Sequence, residues 1–183
     1  MSPRANARSL PGDFGLRKPL AAALRVNHAG EYGATRIYAG QLAVLKNDAC
    51  ANEIKRMATQ EEVHLAAFNK ILPTRSVRPT ALMPLWHVGG WLMGAVTAAI
   101  SPKAAMACTV AVEEVITEHY NAQLNSGLLD ASLAPTIQKF RDEEMEHHDT
   151  GLAHDAQGAP LYAPLTAAIR RICRGAIWLS ARV

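Results

Sequence analysis

Two copies of Glu-x-x-His stand in this chain of 183 residues, at Glu61–His64 and Glu144–His147, and each follows a lone glutamate by one helical hairpin's length. Glu31 precedes Glu61 by 30 residues (61 − 31), and Glu113 precedes Glu144 by 31 (144 − 113). Residues three apart on a helix share a face. A Glu, a Glu-x-x-His, another Glu and another Glu-x-x-His, one per helix, is the side-chain set with which four-helix bundles enclose two iron or manganese ions. A chain carrying the set in this order is restricted to long helices whose inward faces converge.

Hydrophobic periodicity predicts four core helices, over residues 18–46, 51–72, 103–128 and 131–155. Their inward stripes are Leu24, Glu31, Tyr38, Leu42 and Leu45; Ile54, Met57, Glu61, His64, Phe68 and Ile71; Met106, Val110, Glu113, Thr117, Tyr120 and Leu124; and Leu133, Ile137, Phe140, Glu144, His147 and Gly151. Pro73 is expected to stop the second helix and Pro102 to sit in the first turn of the third. The short links 47–50 and 129–130 imply two antiparallel hairpins, and residues 73–102 a long crossover between them. The expected fold is all-α: a ferritin-like four-helix bundle with an apolar crossover between helices 2 and 3 and an extra amphipathic helix over 166–181. One domain over 18–183 follows a flexible basic tail at 1–17, and the repeated hairpin spacing suggests an internal duplication.

Each candidate ligand sits in the middle of an apolar stripe, where a carboxylate is costly to desolvate unless something positive meets it. Four glutamates carry four negative charges and two divalent ions carry four positive ones, so a paired-metal site resolves the conflict. Glu61 and Glu144 are placed to bridge, with His64 and His147 one turn on, and Glu31 and Glu113 to complete one metal each. Carboxylate and imidazole donors without thiolate favour iron or manganese. Spacing alone leaves Glu113 and Glu114 open, since 144 − 114 = 30 restores the strict repeat. The face favours Glu113, which lines up with Val110, Tyr120 and Leu124, whereas Glu114 lines up with Glu118 and Asn121. Gln60 and Glu143, immediately before the bridging glutamates, are candidates to steer a ligand histidine, with His148 a further neighbour or an exposed residue. Tyr120 is expected to meet substrate, to relay an electron or to be a packed core residue.

The net charge of +3, without a basic stripe, argues against a nucleic-acid partner. Cys50, Cys108 and Cys173 form no CxxC pair and read as small buried hydrophobes of a reducing compartment. Arg4, Arg8 and Arg17 precede no apolar run, so no secretory signal is expected. Residues 79–102 comprise 24 positions without formal charge, long enough to cross a bilayer. A single crossing would put Glu61 and Glu113 on opposite sides, and Pro84, Gly89, Gly90 and Gly94 interrupt a straight span. The expectation is therefore an interfacial segment, with Leu82, Trp86, Trp91 and Met93 toward lipid or a lipid-like tail. The C-terminal helix, with Arg170, Arg171 and Arg174 beside Ile169, Ile172, Ile177 and Trp178, reads as a second, basic amphipathic anchor.

Longer motifs resemble one family. Residues 25–34 (RVNHAGEYGA) and 36–41 (RIYAGQ), 61–64 (EEVH), 107–114 (ACTVAVEE) with 119–121 (HYN), and 140–149 (FRDEEMEHHD) resemble the four helix signatures of the demethoxyubiquinone hydroxylases. The resemblance runs from about residue 19 to the C-terminus. It implies a di-iron monooxygenase of ubiquinone biosynthesis that uses O2 as co-substrate and hydroxylates the ring of a demethoxylated polyprenyl benzoquinol. It places the iron ligands on Glu31, Glu61, His64, Glu113, Glu144 and His147. No nucleotide cofactor is expected to stay bound, since no glycine fingerprint for one is visible. The implied partners are the quinol, a membrane surface, and a ubiquinone-biosynthesis complex or a second copy of the chain, with no nucleic acid. The implied location is peripheral, on the cytoplasmic face of the cell membrane, or on the matrix side of the inner mitochondrial membrane in a eukaryote. The alternative reading is a ferritin-like protein of iron oxidation and storage or peroxide detoxification.

Overall fold

The structure is a computed structural model that describes residues 18–183, so the tail at 1–17 lies outside the described residues. Its elements are α1 (Lys18–Leu45), α2 (Ala51–Thr74), α3 (Met83–Ile100), α4 (Pro102–Leu124), α5 (Ala134–Ala153) and α6 (Tyr162–Ser180), with one 3-10 turn at Ala156–Gly158 and no strand among the described residues. The bundle is ferritin-like. Of the four expected stripes every member is buried except Leu42, Ile71, Thr117 and Leu124, which are half-buried.

Cross-helix contacts define the topology. Tyr38 meets Met57 while His28 meets Asn69, so α1 and α2 run antiparallel. Arg141 reaches Asn121 at one end of α4–α5, and at the other a Cβ on Gly151 would press on Val110. The second hairpin is therefore antiparallel too. The two hairpins lie side by side, with Asn27 and Gln123 exchanging amide hydrogen bonds of 2.9 and 2.7 Å between α1 and α4.

Three expectations change. Pro73 does not stop α2: the helix runs one residue beyond it to Thr74, because a proline in the last turn forfeits little further hydrogen bonding. The crossover is mostly the helix α3, with Pro84 in its first turn, where a missing N–H costs nothing, so the proline does not break it. Gly90 and Gly94 are contact points, not interruptions. A Cβ on Gly94 would fall 1.9 Å from the carbonyl oxygen of Ile37, one on Gly90 2.9 Å from that of Gly33, and one on Gly40 2.1 Å from that of Trp91. The pairs 32–87, 33–90 and 37–94 rise together, so α3 lies parallel to α1, backbone against backbone. The final helix starts earlier than 166, at Tyr162, and two of its three arginines are committed to ion pairs with α4. Arg170 pairs with Glu114 at 2.9 Å and Arg174 with Glu118 at 3.0 Å, so α6 runs parallel to α4. Only Arg171 of the expected basic anchor stays exposed without such a partner among the described residues.

The duplication thus extends beyond hairpins to three-helix units. In α1–α2–α3 and in α4–α5–α6, the third helix lies parallel along the outside of the first. Equivalent residues differ by 82 or 83 (113 − 31, 120 − 38, 144 − 61, 147 − 64).

Candidate metal centre

The middle turns of α1, α2, α4 and α5 bring Glu31, Glu61, His64, Glu113, Glu144 and His147 into one buried space. Two interlocking groups of donor atoms result, each with all atoms within 4.8 Å of one another: Glu31, Glu61, His64 and Glu144, and Glu61, Glu113, Glu144 and His147. Glu61 and Glu144 belong to both. Glu114 points outward to Arg170, so the structure separates the two residues that spacing left open.

Both imidazoles turn Nδ1 inward. His64 Nδ1 lies 3.2 Å from Glu31 Oε2 and 3.1 Å from Glu144 Oε1; His147 Nδ1 lies 3.0 Å from Glu61 Oε1 and 3.2 Å from Glu144 Oε2. Both outer Nε2 atoms are held crosswise: His64 by Glu143 Oε2 at 2.9 Å and His147 by Gln60 Oε1 at 3.2 Å. Each steering residue thus precedes a bridging-position glutamate on one helix and holds the histidine of the other. His148 is not among them; its ring faces Asp149 outside the cluster.

Two tyrosines close the ends. Tyr38 donates to Glu113 Oε1 at 2.8 Å, and Tyr120 donates to Glu31 Oε1. Each tyrosine stands seven residues after the glutamate of its own helix and bonds the glutamate of the other. Tyr38 was not singled out by sequence reasoning, although the matching interval of seven was available as a signal. Burial first, then the facing carboxylates, pushes both phenols well above their usual range, so they stay protonated donors.

Enclosed carboxylates dominate the electrostatics. Burial, then neighbouring carboxylates, pushes Glu61 and Glu113 well up; burial also raises Glu31 against the pull of His64. Burial opposes ionisation of Glu144 as well, but hydrogen bonds from His147 and His64 outweigh it and hold its pKa at about 2. His64, correspondingly, is held at about 11: burial lowers it, and Glu144 and Glu31 more than compensate. Even so, Glu31 Oε2, both oxygens of Glu61, Glu113 Oε2, Glu144 Oε2 and His147 Nδ1 lack a hydrogen bond of acceptable geometry. Orphaned buried oxygens facing one space are what divalent cations satisfy, and the donor set fits two of them.

The cluster meets an apolar cavity at one end. This cavity of about 330 Å³ between α1, α3, α4 and α6 is walled by Ile37, Met93, Val112, Ile116 and Ile177, and reaches Glu31 and Tyr120 but none of the other five cluster residues. Trp86 and Met93 line it; Trp86 is tied by its Nε1 to Ser180 Oγ at 3.1 Å. Leu82, Trp91 and Trp178 do not: Leu82 caps the start of α3, and the two tryptophans are on the surface. His119 also lines the cavity, and its Nε2 is enclosed without a partner. Burial lowers it to about 4 despite a hydrogen bond to the backbone of Ala23, so the ring stays neutral. Its place in the third helix signature carried no sign of this position.

A ferritin-like bundle with buried carboxylate and imidazole groups able to hold metal defines the class. The family profile described as ubiquinone biosynthesis protein COQ7 matches residues 18–180. The chain is 53% identical over 165 residues to a human protein named NADPH-dependent 3-demethoxyubiquinone 3-hydroxylase, mitochondrial, covering 87% of this chain and 76% of that one. It is 49% identical over 176 residues to the 3-demethoxyubiquinol 3-hydroxylase of Rhodospirillum rubrum, covering 95% and 83%. Against the 5-demethoxyubiquinone hydroxylase, mitochondrial, of Saccharomyces cerevisiae, identity is 46% over 178 residues, covering 87% and 76%. The chain belongs to the ubiquinone biosynthesis protein COQ7 family. It is a hydroxylase of that biosynthesis.

Proposed function

We propose that this chain is a di-iron hydroxylase that inserts one atom of O2 into the ring C–H of a 3-demethoxyubiquinol bearing a polyprenyl tail. The observation that carries the reading is the union of the six-residue cluster with an apolar cavity that meets it only at Glu31 and Tyr120. The donor set suits iron, and two iron ions supply the binding and two-electron activation of dioxygen. One oxygen atom becomes the ring hydroxyl; two electrons and two protons carry the other to water. Relatives named NADPH-dependent support a nicotinamide nucleotide as the electron source.

The protein's own residues do the rest. Glu31, Glu61, His64, Glu113, Glu144 and His147 would hold the metals, with Glu61 and Glu144, which belong to both donor groups, shared between them. Gln60 and Glu143 fix the tautomer in which each Nδ1 is free to bind metal. Tyr120 and the neutral His119 are the polar groups that meet the ring, the histidine accepting a hydrogen bond from a quinol hydroxyl at Nε2. The apolar walls take the first tail units and exclude water.

Leu85 and Ile172 both line the cavity and stand exposed, which makes them its mouth. Beside them α3 exposes Val88, Leu92, Val96 and Ile100, and α6 exposes Trp178 and Leu179. No helix among the described residues is long and apolar enough to cross a membrane. We read this face as resting on a bilayer, from which the quinol passes into the cavity.

Iron-loaded protein, reductant, demethoxylated quinol and labelled dioxygen should yield label in the quinol ring by mass spectrometry. Unlabelled quinol with labelled water only would overturn the reading. Gly89→Leu probes the cavity: Gly89 lines it, and a Cβ there meets nothing within 4 Å. It should raise KM for a long-tailed quinol by roughly tenfold while removing a helix-interior glycine, raising stability by about 1 kcal/mol.

A further inference from the structure

The two three-helix units are not equivalent in their counter-charges. Along α4–α6, each arginine of the outer helix meets an acid: Arg170 on Glu114 and Arg174 on Glu118. Shifting those positions back by 82 on the inner helix and 83 on the outer gives Tyr32 with His87 and Arg36 with Trp91. The first is a hydrogen-bonded pair without a carboxylate, Tyr32 Oη lying 2.6 Å from His87 Nδ1. The second has reversed the charge of the inner helix and lost the charge of the outer one. Arg36 Nε is buried without a hydrogen-bond partner, and no carboxylate pairs with the guanidinium among the described residues. The side chain floors a shallow depression whose other walls are His87, Val88, Trp91 and Leu92.

We propose that Arg36 and His87 form a binding site for the phosphodiester of an anionic phospholipid at the edge of the apolar face. This rests on the membrane contact proposed above. A guanidinium presents paired N–H donors in the spacing of two phosphate oxygens, and Arg36 has donors to spare. Val88, Trp91 and Leu92 are exposed on the same side and suit the glycerol and first acyl carbons. Charge complementarity selects the occupant: the site has an uncompensated cation, and anionic lipid supplies phosphate without the choline that competes for it in a zwitterionic one. Docked this way, the lipid sets the depth and rotation of the face that carries the cavity mouth.

The test uses full-length, metal-loaded protein and flotation with two vesicle types, neutral phosphatidylcholine and a mixture with phosphatidylglycerol. Wild-type protein should float with both and more with the anionic mixture. Arg36→Gln should lose about fivefold of its partition onto anionic vesicles, the size expected for one basic residue at a charged surface, with binding to neutral vesicles unchanged. Arg36→Lys should recover part of it. Lys70→Gln, removing the same charge from the exposed side of α2, should lose nothing. Equal losses in Arg36→Gln and Lys70→Gln, or none in either, overturn the site while leaving membrane contact standing. Wild-type protein that floats with neither vesicle overturns both. A thermal shift with inorganic phosphate that vanishes in Arg36→Gln would assign the site to a free ion and overturn the lipid. Circular dichroism and metal content confirm that each variant is folded.

Discussion

The halves α1–α2–α3 and α4–α5–α6 repeat one geometry and secure it by different chemistry. In the first, Gly90 and Gly94 of α3 and Gly40 of α1 let two backbones touch. In the second, α6 packs Leu165, Ile169 and Cys173 on Cys108, Ala111 and Val112 of α4 and adds the ion pairs Arg170–Glu114 and Arg174–Glu118. Backbone contact tolerates no added atom, whereas half-exposed ion pairs contribute about 1 kcal/mol or less each. The ligand arrays, by contrast, are nearly interchangeable, down to a tyrosine seven residues after each terminal glutamate. They differ in what lies outside: Glu31 and Tyr120 meet the cavity, while Glu113 and Tyr38 are sealed. Duplicate helices explain the paired Glu/His cluster. Unequal packing around it is what opens a cavity onto Glu31 and not onto Glu113.

The severest way to break the equivalence is at a shared position. Glu61→Ala and Glu144→Ala should each abolish activity and empty both metal positions, as read by metal analysis; a variant that keeps one ion per chain would break the bridging assignment. Next come the seams. Gly94→Ala should cost about 3 kcal/mol through overpacking, a fall in Tm of about 10 °C in scanning calorimetry. Glu114→Gln, its counterpart in the other seam, should lower Tm by about 3 °C or less. Similar shifts for the two would sink the contrast drawn between the seams.

The crosswise pairs sharpen the comparison further. Gln60→Ala and Glu143→Ala should each weaken metal affinity by about 10- to 100-fold, measured by competition with a chelator. A difference between them measures how far the two histidine sites have diverged.

The smallest effect is a slope in pH. Glu31, Glu61 and Glu113 have raised folded pKa values, and so has His64 at about 11. A raised group contributes its full stability below its unfolded pKa and loses it as pH rises toward the folded one. The lowered Glu144, at about 2, gives up its contribution only in strong acid and adds no slope above pH 5. Metal-free protein should therefore melt at a lower temperature at pH 8 than at pH 5. Metal-loaded protein should show no such fall, because metal binding displaces the protons that carry it. Parallel profiles for the two forms would mean that the cluster does not bind the ions.

Much of the bundle is local information. A glutamate in the middle of an apolar stripe declares itself through periodicity alone, because 3.6 residues per turn fix which side chains share a face and burial fixes which face turns inward. All six cluster residues and the side of the helix carrying Glu113 followed from that rule, and the antiparallel hairpins from the short links 47–50 and 129–130. Helix ends did not: Pro73 and the start of α6 depend on whether neighbours supply the missing hydrogen bonds. The path of α3 was also illegible, because a charge-free run with four breakers reads alike as a lipid-facing segment or as a helix pressed on another. Which one forms depends on the backbone of α1, some 55 positions away (90 − 33 = 57, 87 − 32 = 55).

From its amino acids alone, then, this chain determines where its buried charge lies, since helical phase is a property of each segment taken singly. Tertiary structure decided what surrounds that charge. The bond from Tyr38 to Glu113, the hold of Glu143 on His64, the cavity ending at Glu31 and the unmatched cation of Arg36 each need two helices distant in sequence to meet at one register. Register is set by the fit of whole surfaces, which no single segment encodes.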